Sequence, residues 1–131
     1  MVATPAQVDG LIFGGDGLIQ HLPQGSIVCL CCTLPPTYVR KLPARLSASG
    51  RQEIRIIDSP VSGGVSGAVN GTLNVSWGEK VLNILYIDLS KIMIAGDPLA
   101  IEEIEPLLQA MAAPGRLFRC GQLSNASTLK M

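Results

Sequence analysis

The sequence has little charge of either sign and few aromatic side chains. Only 15% of its 131 residues are charged, ten basic residues balance ten acidic ones, and aromatic residues make up 4%. A chain without net positive charge has no basic field to collect nucleic acid or an anionic membrane, so we expect neither as a partner. Any anionic ligand must therefore be held by a local site.

Metal-binding residues are also scarce. His21 is the single histidine, and the four cysteines are Cys29, Cys31, Cys32 and Cys120. Three cysteines crowded into one strand-like run cannot form the paired Cys-x-x-Cys knuckles of a zinc site, so we expect no metal and reduced, buried thiols. Together with the lack of a secretory leader and of a membrane-length apolar run, this predicts a cytoplasmic protein, with the mitochondrial matrix as the other possibility.

What the chain does have is enough apolar sequence for one modest core. Apolar residues make up 47% of the composition, which predicts a single domain over residues 1–131. Two apolar runs, 27–32 and 54–57, have the length of buried strands, and a segment with helical spacing separates them. This order predicts a parallel right-handed crossover, and hence an α/β fold with a mostly parallel sheet and flanking helices.

Local signals set the boundaries of the other elements. Thr33 is a candidate cap for the helix after the first strand, and Pro43 should kink or shorten that helix. A short helical piece is expected over 4–9, and the segment 93–97 is expected to turn into a helix capped by Asp97. A short strand over 116–120 and a helix over 123–131 follow.

A glycine-rich stretch follows the second strand. Residues 58–68 read Asp-Ser-Pro-Val-Ser-Gly-Gly-Val-Ser-Gly-Ala. Glycine lets backbone N–H groups approach a ligand closely, and with the Ser62 hydroxyl they would bind a carboxylate or phosphate. A tight turn of small residues packed against a helix is the alternative interpretation of such a stretch.

This stretch, with the Gly-Thr-Leu of residues 71–73, resembles the substrate-binding segment of the β-hydroxyacid dehydrogenases. That family includes 3-hydroxyisobutyrate, L-threonate and 6-phosphogluconate dehydrogenases. The resemblance implies NADP or NAD as cofactor, a small 3-hydroxy acid as substrate, and a homo-oligomer in intact members. It also implies the second half of a Rossmann-type NAD(P)-binding domain, without the dinucleotide fingerprint and the helical domain, and with an insertion or unspliced segment at 74–92.

The resemblance also assigns roles to individual residues. Ser62, Gly63 and Gly64 would hold the substrate carboxylate. Lys130 would be the catalytic lysine, after an approach in which Ser124 and Ala126 stand where the family usually has glycine. Near the cofactor it implies Thr33, with Cys32 in place of a serine, and Thr4 and Gln7, with Thr4 in place of an asparagine.

Three functional hypotheses follow. The first is an oxidoreductase that transfers a hydride from a 3-hydroxy acid to NAD or NADP and is inactive as this chain alone. The second is a non-catalytic remnant that acts as a small binding or assembly module. The third is a hydrolase with Ser62 or Ser66 as nucleophile, although residues 64–68 depart from Gly-x-Ser-x-Gly at the last position.

Overall fold

The structure, a computed structural model, describes residues 2, 4–61, 69, 92–111 and 117–130, with only the backbone at Ile92, Phe118 and Lys130. The predicted substrate residues Ser62, Gly63 and Gly64, and residues 74–91 of the predicted insertion, lie outside these ranges.

The described residues contain both helices and strands. The helices are α1 Pro5–Phe13, α2 Leu18–His21, α3 Pro36–Val39, α4 Leu42–Ala48, α5 Pro98–Met111 and α6 Asn125–Lys130. The strands are β1 Ile27–Leu30, β2 Arg55–Asp58, β3 Ile92–Gly96 and β4 Leu117–Arg119. Within the described ranges, no helix combines the length and apolar character that crossing a bilayer requires.

The strands form one sheet in the order β1-β2-β3-β4. β1 pairs with β2 in parallel, with Leu30 opposite Asp58, and β3 pairs with β4 in parallel. β2 and β3 are antiparallel, with Ile57 opposite Gly96. The predicted α/β fold with a mostly parallel sheet is therefore confirmed, while the antiparallel pairing in its middle is an addition that the sequence did not indicate.

β3 is a strand that the sequence did not predict. Residues 93–97 were expected to lead into a helix, and α5 does begin at Pro98, but the residues before it form β3, which extends to Gly96. Gly96 has φ +151, and a Cβ there would lie 2.8 Å from Ile57 Cδ1 and 3.0 Å from the Ile56 carbonyl oxygen. Only glycine allows the two strands to approach this closely.

The helix boundaries follow local chemistry with one exception. Pro43 lies in the first turn of α4, so the predicted single helix is divided into α3 and α4. Asp97 caps α5 as predicted, because its Oδ1 accepts a hydrogen bond of 2.9 Å from the Ala100 N–H. The prediction that Thr33 caps the first of these helices was wrong. α3 begins at Pro36 after Pro35 without a side-chain cap, which leaves Thr33 too far upstream.

Apolar side chains cover both faces of the sheet. Ile56 belongs to a core shared with α1, α3 and α4, whereas its neighbour Ile57 packs with α5. Successive strand residues point to opposite faces, so β2 is buried from both sides. This arrangement of helices on both faces of a sheet is the layered architecture expected of an α/β domain.

A polar cluster connects α1 to α3 and α4. The Tyr38 hydroxyl donates a hydrogen bond of 2.6 Å to Asp9 Oδ1, and the Arg45 guanidinium donates to the same oxygen. The Tyr38 hydrogen bond, supported by Arg45, lowers the pKa of Asp9, while burial and the Asp9 carboxylate raise the pKa of Tyr38 to about 12. The cluster therefore favours the ionised form of Asp9.

We expect Asp9→Asn to lower the free energy of unfolding by about 1 kcal/mol at neutral pH, since the Asp9 side chain remains 42% exposed. The pKa of Asp9 is lower in the folded state, so its stabilisation is present above the unfolded pKa of about 3.9 and is lost as the pH falls through the folded pKa. The difference between variant and wild type should shrink accordingly in urea titrations at acidic pH.

Asp16→Asn is the control, because Asp16 bonds to His21 with 93% of its side chain exposed. It should leave stability unchanged. An equal loss in both variants would contradict a specific role for the Asp9 cluster.

Candidate functional site

The carboxyl ends of β1 and β2 form one edge of the sheet. Beyond the strands, the Ser59 N–H donates a hydrogen bond of 3.1 Å to the Leu30 carbonyl, and the Val61 N–H donates one of 3.3 Å to the Cys31 carbonyl. The chain leading to Ser62 therefore lies alongside the chain leading to Thr33. Ligands of open α/β sheets bind at this kind of edge, outside the carboxyl ends of the strands.

Thr33 lies at this edge and is exposed, whereas the preceding Cys32 is buried. Val2 packs against the core that includes Cys32, which brings the segment before α1 close to the same place. The Tyr38 hydroxyl also donates to the Pro5 carbonyl, at 3.3 Å. The start of α1 and the segment after β1 are thus neighbours.

Thr4 and Gln7 form a capping box at the start of α1. The Gln7 N–H donates a hydrogen bond of 3.3 Å to Thr4 Oγ1, and the Thr4 N–H donates one of 3.1 Å to Gln7 Oε1. This reciprocal pair satisfies two backbone donors at the helix N-terminus. Their observed role is therefore to start α1, and their predicted role in cofactor binding stays a prediction.

A buried carboxylate connects the end of β2 to α6. Asp58 is 0% exposed. Its Oδ2 accepts a hydrogen bond of 2.8 Å from the Ser127 N–H, and its Oδ1 accepts one of 2.7 Å from the Ser127 hydroxyl. A buried charge without such partners is strongly unfavourable, so this pair fixes α6 against the strand that precedes the glycine-rich stretch.

Ser124 and Ala126 stand where the resembled family usually has glycine. Their surroundings show why glycine suits both positions. Ser124 has φ +78, a left-handed conformation that glycine adopts most easily. Its hydroxyl accepts a hydrogen bond of 3.0 Å from the Arg40 guanidinium. Ala126 is 0% exposed and packs with Met93 and Ala95, which leaves room only for a small side chain.

Lys130 is the last residue of α6, and its backbone is described. It follows Ser127 by three residues and Ala126 by four, so the helical repeat places its backbone on the same side of α6 as those two buried residues. That side of the helix contacts the end of β2 through Asp58. The structure therefore brings α6 and the segment leading to Ser62 together.

A family model described as the NAD binding domain of 6-phosphogluconate dehydrogenase matches residues 1–81. The chain belongs to this family. The predicted membership in the β-hydroxyacid dehydrogenases is confirmed, and the predicted cofactor, NADP or NAD, is confirmed at the level of the family.

Known relatives match most of this chain. The NAD-dependent L-serine dehydrogenase of Pseudomonas aeruginosa is 34% identical over 121 residues, which cover 92% of this chain and 33% of the relative. The crystal structure of 3-hydroxyisobutyrate dehydrogenase from Salmonella typhimurium aligns with a TM-score of 0.72 at 25% identity, over 98% of this chain and 37% of that one. A structure of Psf3 with NADP+ and 2-OPP aligns with a TM-score of 0.71 at 28% identity, over 95% of this chain and 37% of that one. The chain spans about a third of the length of these relatives.

The edge of the NAD binding domain offers polar groups that fit a cofactor. The Ser59 hydroxyl is buried without a well-formed hydrogen bond, with the Cys29 thiol as a polar neighbour, and the exposed Thr33 lies at the same edge. An unsatisfied buried hydroxyl is unfavourable until it finds a partner, so this edge suits a polar ligand. By contrast, the described ranges hold no group of three or more His, Cys, Asp or Glu that could bind a metal ion.

Sequence reasoning missed the partners of Asp58 and Ser124. One signal was present, because Asp58 ends an apolar strand and a charge there needs a buried partner. Its partner, Ser127, lies 69 residues further along the chain. No local pattern could identify Ser127 at that separation.

We expect Asp58→Ala to lower the free energy of unfolding by about 2–3 kcal/mol, because it leaves two buried donors of Ser127 unsatisfied. Asp58→Asn keeps the volume and one acceptor, so its loss should be smaller. Ser127→Ala removes only the hydroxyl donor and should also cost less than Asp58→Ala. Urea denaturation of the three variants tests this order, and a fully tolerated Asp58→Ala would contradict the proposed constraint.

Ser124 allows backbone strain to be separated from hydrogen bonding. Ser124→Ala keeps the left-handed backbone but loses the bond from Arg40, so we expect a loss of about 1 kcal/mol. Ser124→Gly loses the same bond but relieves the strain, so it should be about 1 kcal/mol more stable than the alanine variant. Equal stabilities in thermal unfolding would show that position 124 is not strained.

Proposed function

We propose that this domain carries the substrate-binding part of an NAD(P)-dependent dehydrogenase that oxidises a small 3-hydroxy acid. The hydrogen bonds between Asp58 and Ser127 carry the proposal. They join the strand that ends four residues before Ser62 to the helix that ends at Lys130. The strand that leads towards Ser62 and the helix that ends at Lys130 are therefore in contact, which supports a shared substrate.

Each end of the substrate has a proposed partner. The Ser62 hydroxyl and the N–H groups of Gly63 and Gly64 bind the carboxylate, since neutral donors in a glycine-rich loop suit an anion. Lys130 takes the proton from the 3-hydroxyl group, a role that requires a pKa lowered by burial or by neighbouring positive charge. The nicotinamide of NAD or NADP, when bound, accepts the hydride.

The substrate class comes from the relatives. L-serine and 3-hydroxyisobutyrate, the compounds in two of their names, both carry a hydroxyl group on the third carbon of a carboxylic acid. Thr33, Thr4 and Gln7 are the groups proposed to face the cofactor. Because the chain spans about a third of these relatives, we propose that turnover needs parts outside it.

Ligand-observed NMR with 3-hydroxyisobutyrate and with isobutyrate, which lacks the hydroxyl group, tests these roles. We expect Ser62→Ala to weaken binding of both acids about tenfold, equivalent to about 1.4 kcal/mol, through loss of a donor to the carboxylate. Lys130→Gln should abolish the preference for the hydroxylated acid while leaving isobutyrate binding unchanged. No NAD(P)H should form with this chain alone.

Lys41→Gln is the matched control, because Lys41 is an exposed lysine on another segment. It should bind both acids like wild type. Binding that is unaffected by Ser62→Ala and Lys130→Gln would refute the assigned site. Robust NAD(P)H formation would refute the need for additional parts.

A further inference from the structure

Two thiols lie side by side where β1 ends. The sulfur atoms of Cys29 and Cys31 are 3.8 Å apart, and both residues are half-buried. Cys32, the next cysteine, is instead buried in the core that includes α1. Cys29 packs with Ile27 against the opposite core. The first two thiols thus form a separate pair.

The spacing of this pair distinguishes between two kinds of bridge. A direct disulfide requires a sulfur–sulfur distance of about 2.05 Å, so the thiols would have to approach each other by more than about 1.7 Å. A single atom bonded to both sulfurs at roughly 2.3 Å holds them about 3.3–3.8 Å apart, for angles of about 90–110° at that atom. The observed distance therefore suits a bridging atom better than a disulfide.

The number of protein side chains that could bind the bridging atom limits which element it can be. A structural zinc ion takes four protein ligands, and the described ranges hold no cluster of even three suitable side chains. Trivalent arsenic with one organic substituent needs only two sulfur ligands. We propose that Cys29 and Cys31 form a chelating dithiol site for monosubstituted trivalent arsenicals.

The reaction balances without an oxidant or reductant. An organoarsenous acid has two hydroxyl groups on arsenic, and each is replaced by a cysteine sulfur. Two arsenic–oxygen bonds break, two arsenic–sulfur bonds form, and the two thiol protons leave with the hydroxyl groups as two water molecules. Arsenic and sulfur keep their oxidation states.

The electrostatics of the pair suit this chemistry. Hydrogen bonding with Cys29 lowers the pKa of Cys31 to about 7, and the same bond, together with burial, raises the pKa of Cys29. A substantial fraction of Cys31 is then thiolate near neutral pH, and the thiolate is the nucleophile. Burial raises the pKa of both Cys32 and Cys120, which makes them poorer nucleophiles. Attack begins at Cys31, and Cys29 closes the ring.

Intact-mass spectrometry of the full chain with methylarsonous acid tests the site. We expect one adduct per chain, which excess 2-mercaptoethanol releases slowly and 2,3-dimercaptopropanol releases quickly. Because a chelate must lose both bonds, release by the monothiol should be at least about a hundredfold slower than from a single thiol. Cys29→Ser and Cys31→Ser should each lose this resistance.

Cys32→Ser and Cys120→Ser are the matched controls, and their adducts should still resist release by 2-mercaptoethanol. An adduct that stays resistant in Cys31→Ser, or that loses resistance in Cys120→Ser, would overturn the proposal. If a serine variant shows no folded state in thermal melting, the release measurements on the wild-type chain still test the proposal. In the wild-type chain, rapid release by 2-mercaptoethanol would also overturn the proposal. So would an adduct that maps to a peptide without Cys29 and Cys31.

Discussion

The arrangement of the site depends on a single buried carboxylate. Asp58 lies on β2, which is paired with β1 on one side and β3 on the other, and no part of it is exposed. Such a charge cannot be solvated by water, so protein donors must replace the water. The Ser127 amide and hydroxyl do so, and the position of α6 follows from that requirement.

Polar contacts determine the position of α6, because the helix is short and its described apolar contact with the core is small. It has only six residues, a length at which an isolated helix is unstable in water. Its described apolar contact with the core is through Ala126, a small side chain. Ser124, immediately before the helix, also adopts a left-handed conformation that costs energy. The bonds to Asp58 and from Arg40 to Ser124 offset that cost, so polar contacts set the orientation of the helix.

The sequence predicted what local chemistry determines. The apolar runs of β1 and β2, the break at Pro43 and the cap at Asp97 are all properties of a few neighbouring residues. The sequence did not predict the features that depend on residues far apart in the chain. β3 exists because Gly96 permits close approach to Ile57, and Asp58 is satisfied by a residue far along the chain. The predicted loop of Ser62, Gly63 and Gly64 came from family resemblance, and its geometry stays a prediction.

The pairing of Asp58 also explains how an acidic residue can lie so close to a proposed anion site. An unpaired carboxylate four residues before Ser62 would repel the carboxylate of a substrate, and this chain has no net positive charge to compensate. Both Asp58 oxygens accept hydrogen bonds from Ser127, which spreads the charge over two donors. The same contact that positions α6 therefore reduces the repulsion that the proposed neutral donors of the loop would have to overcome.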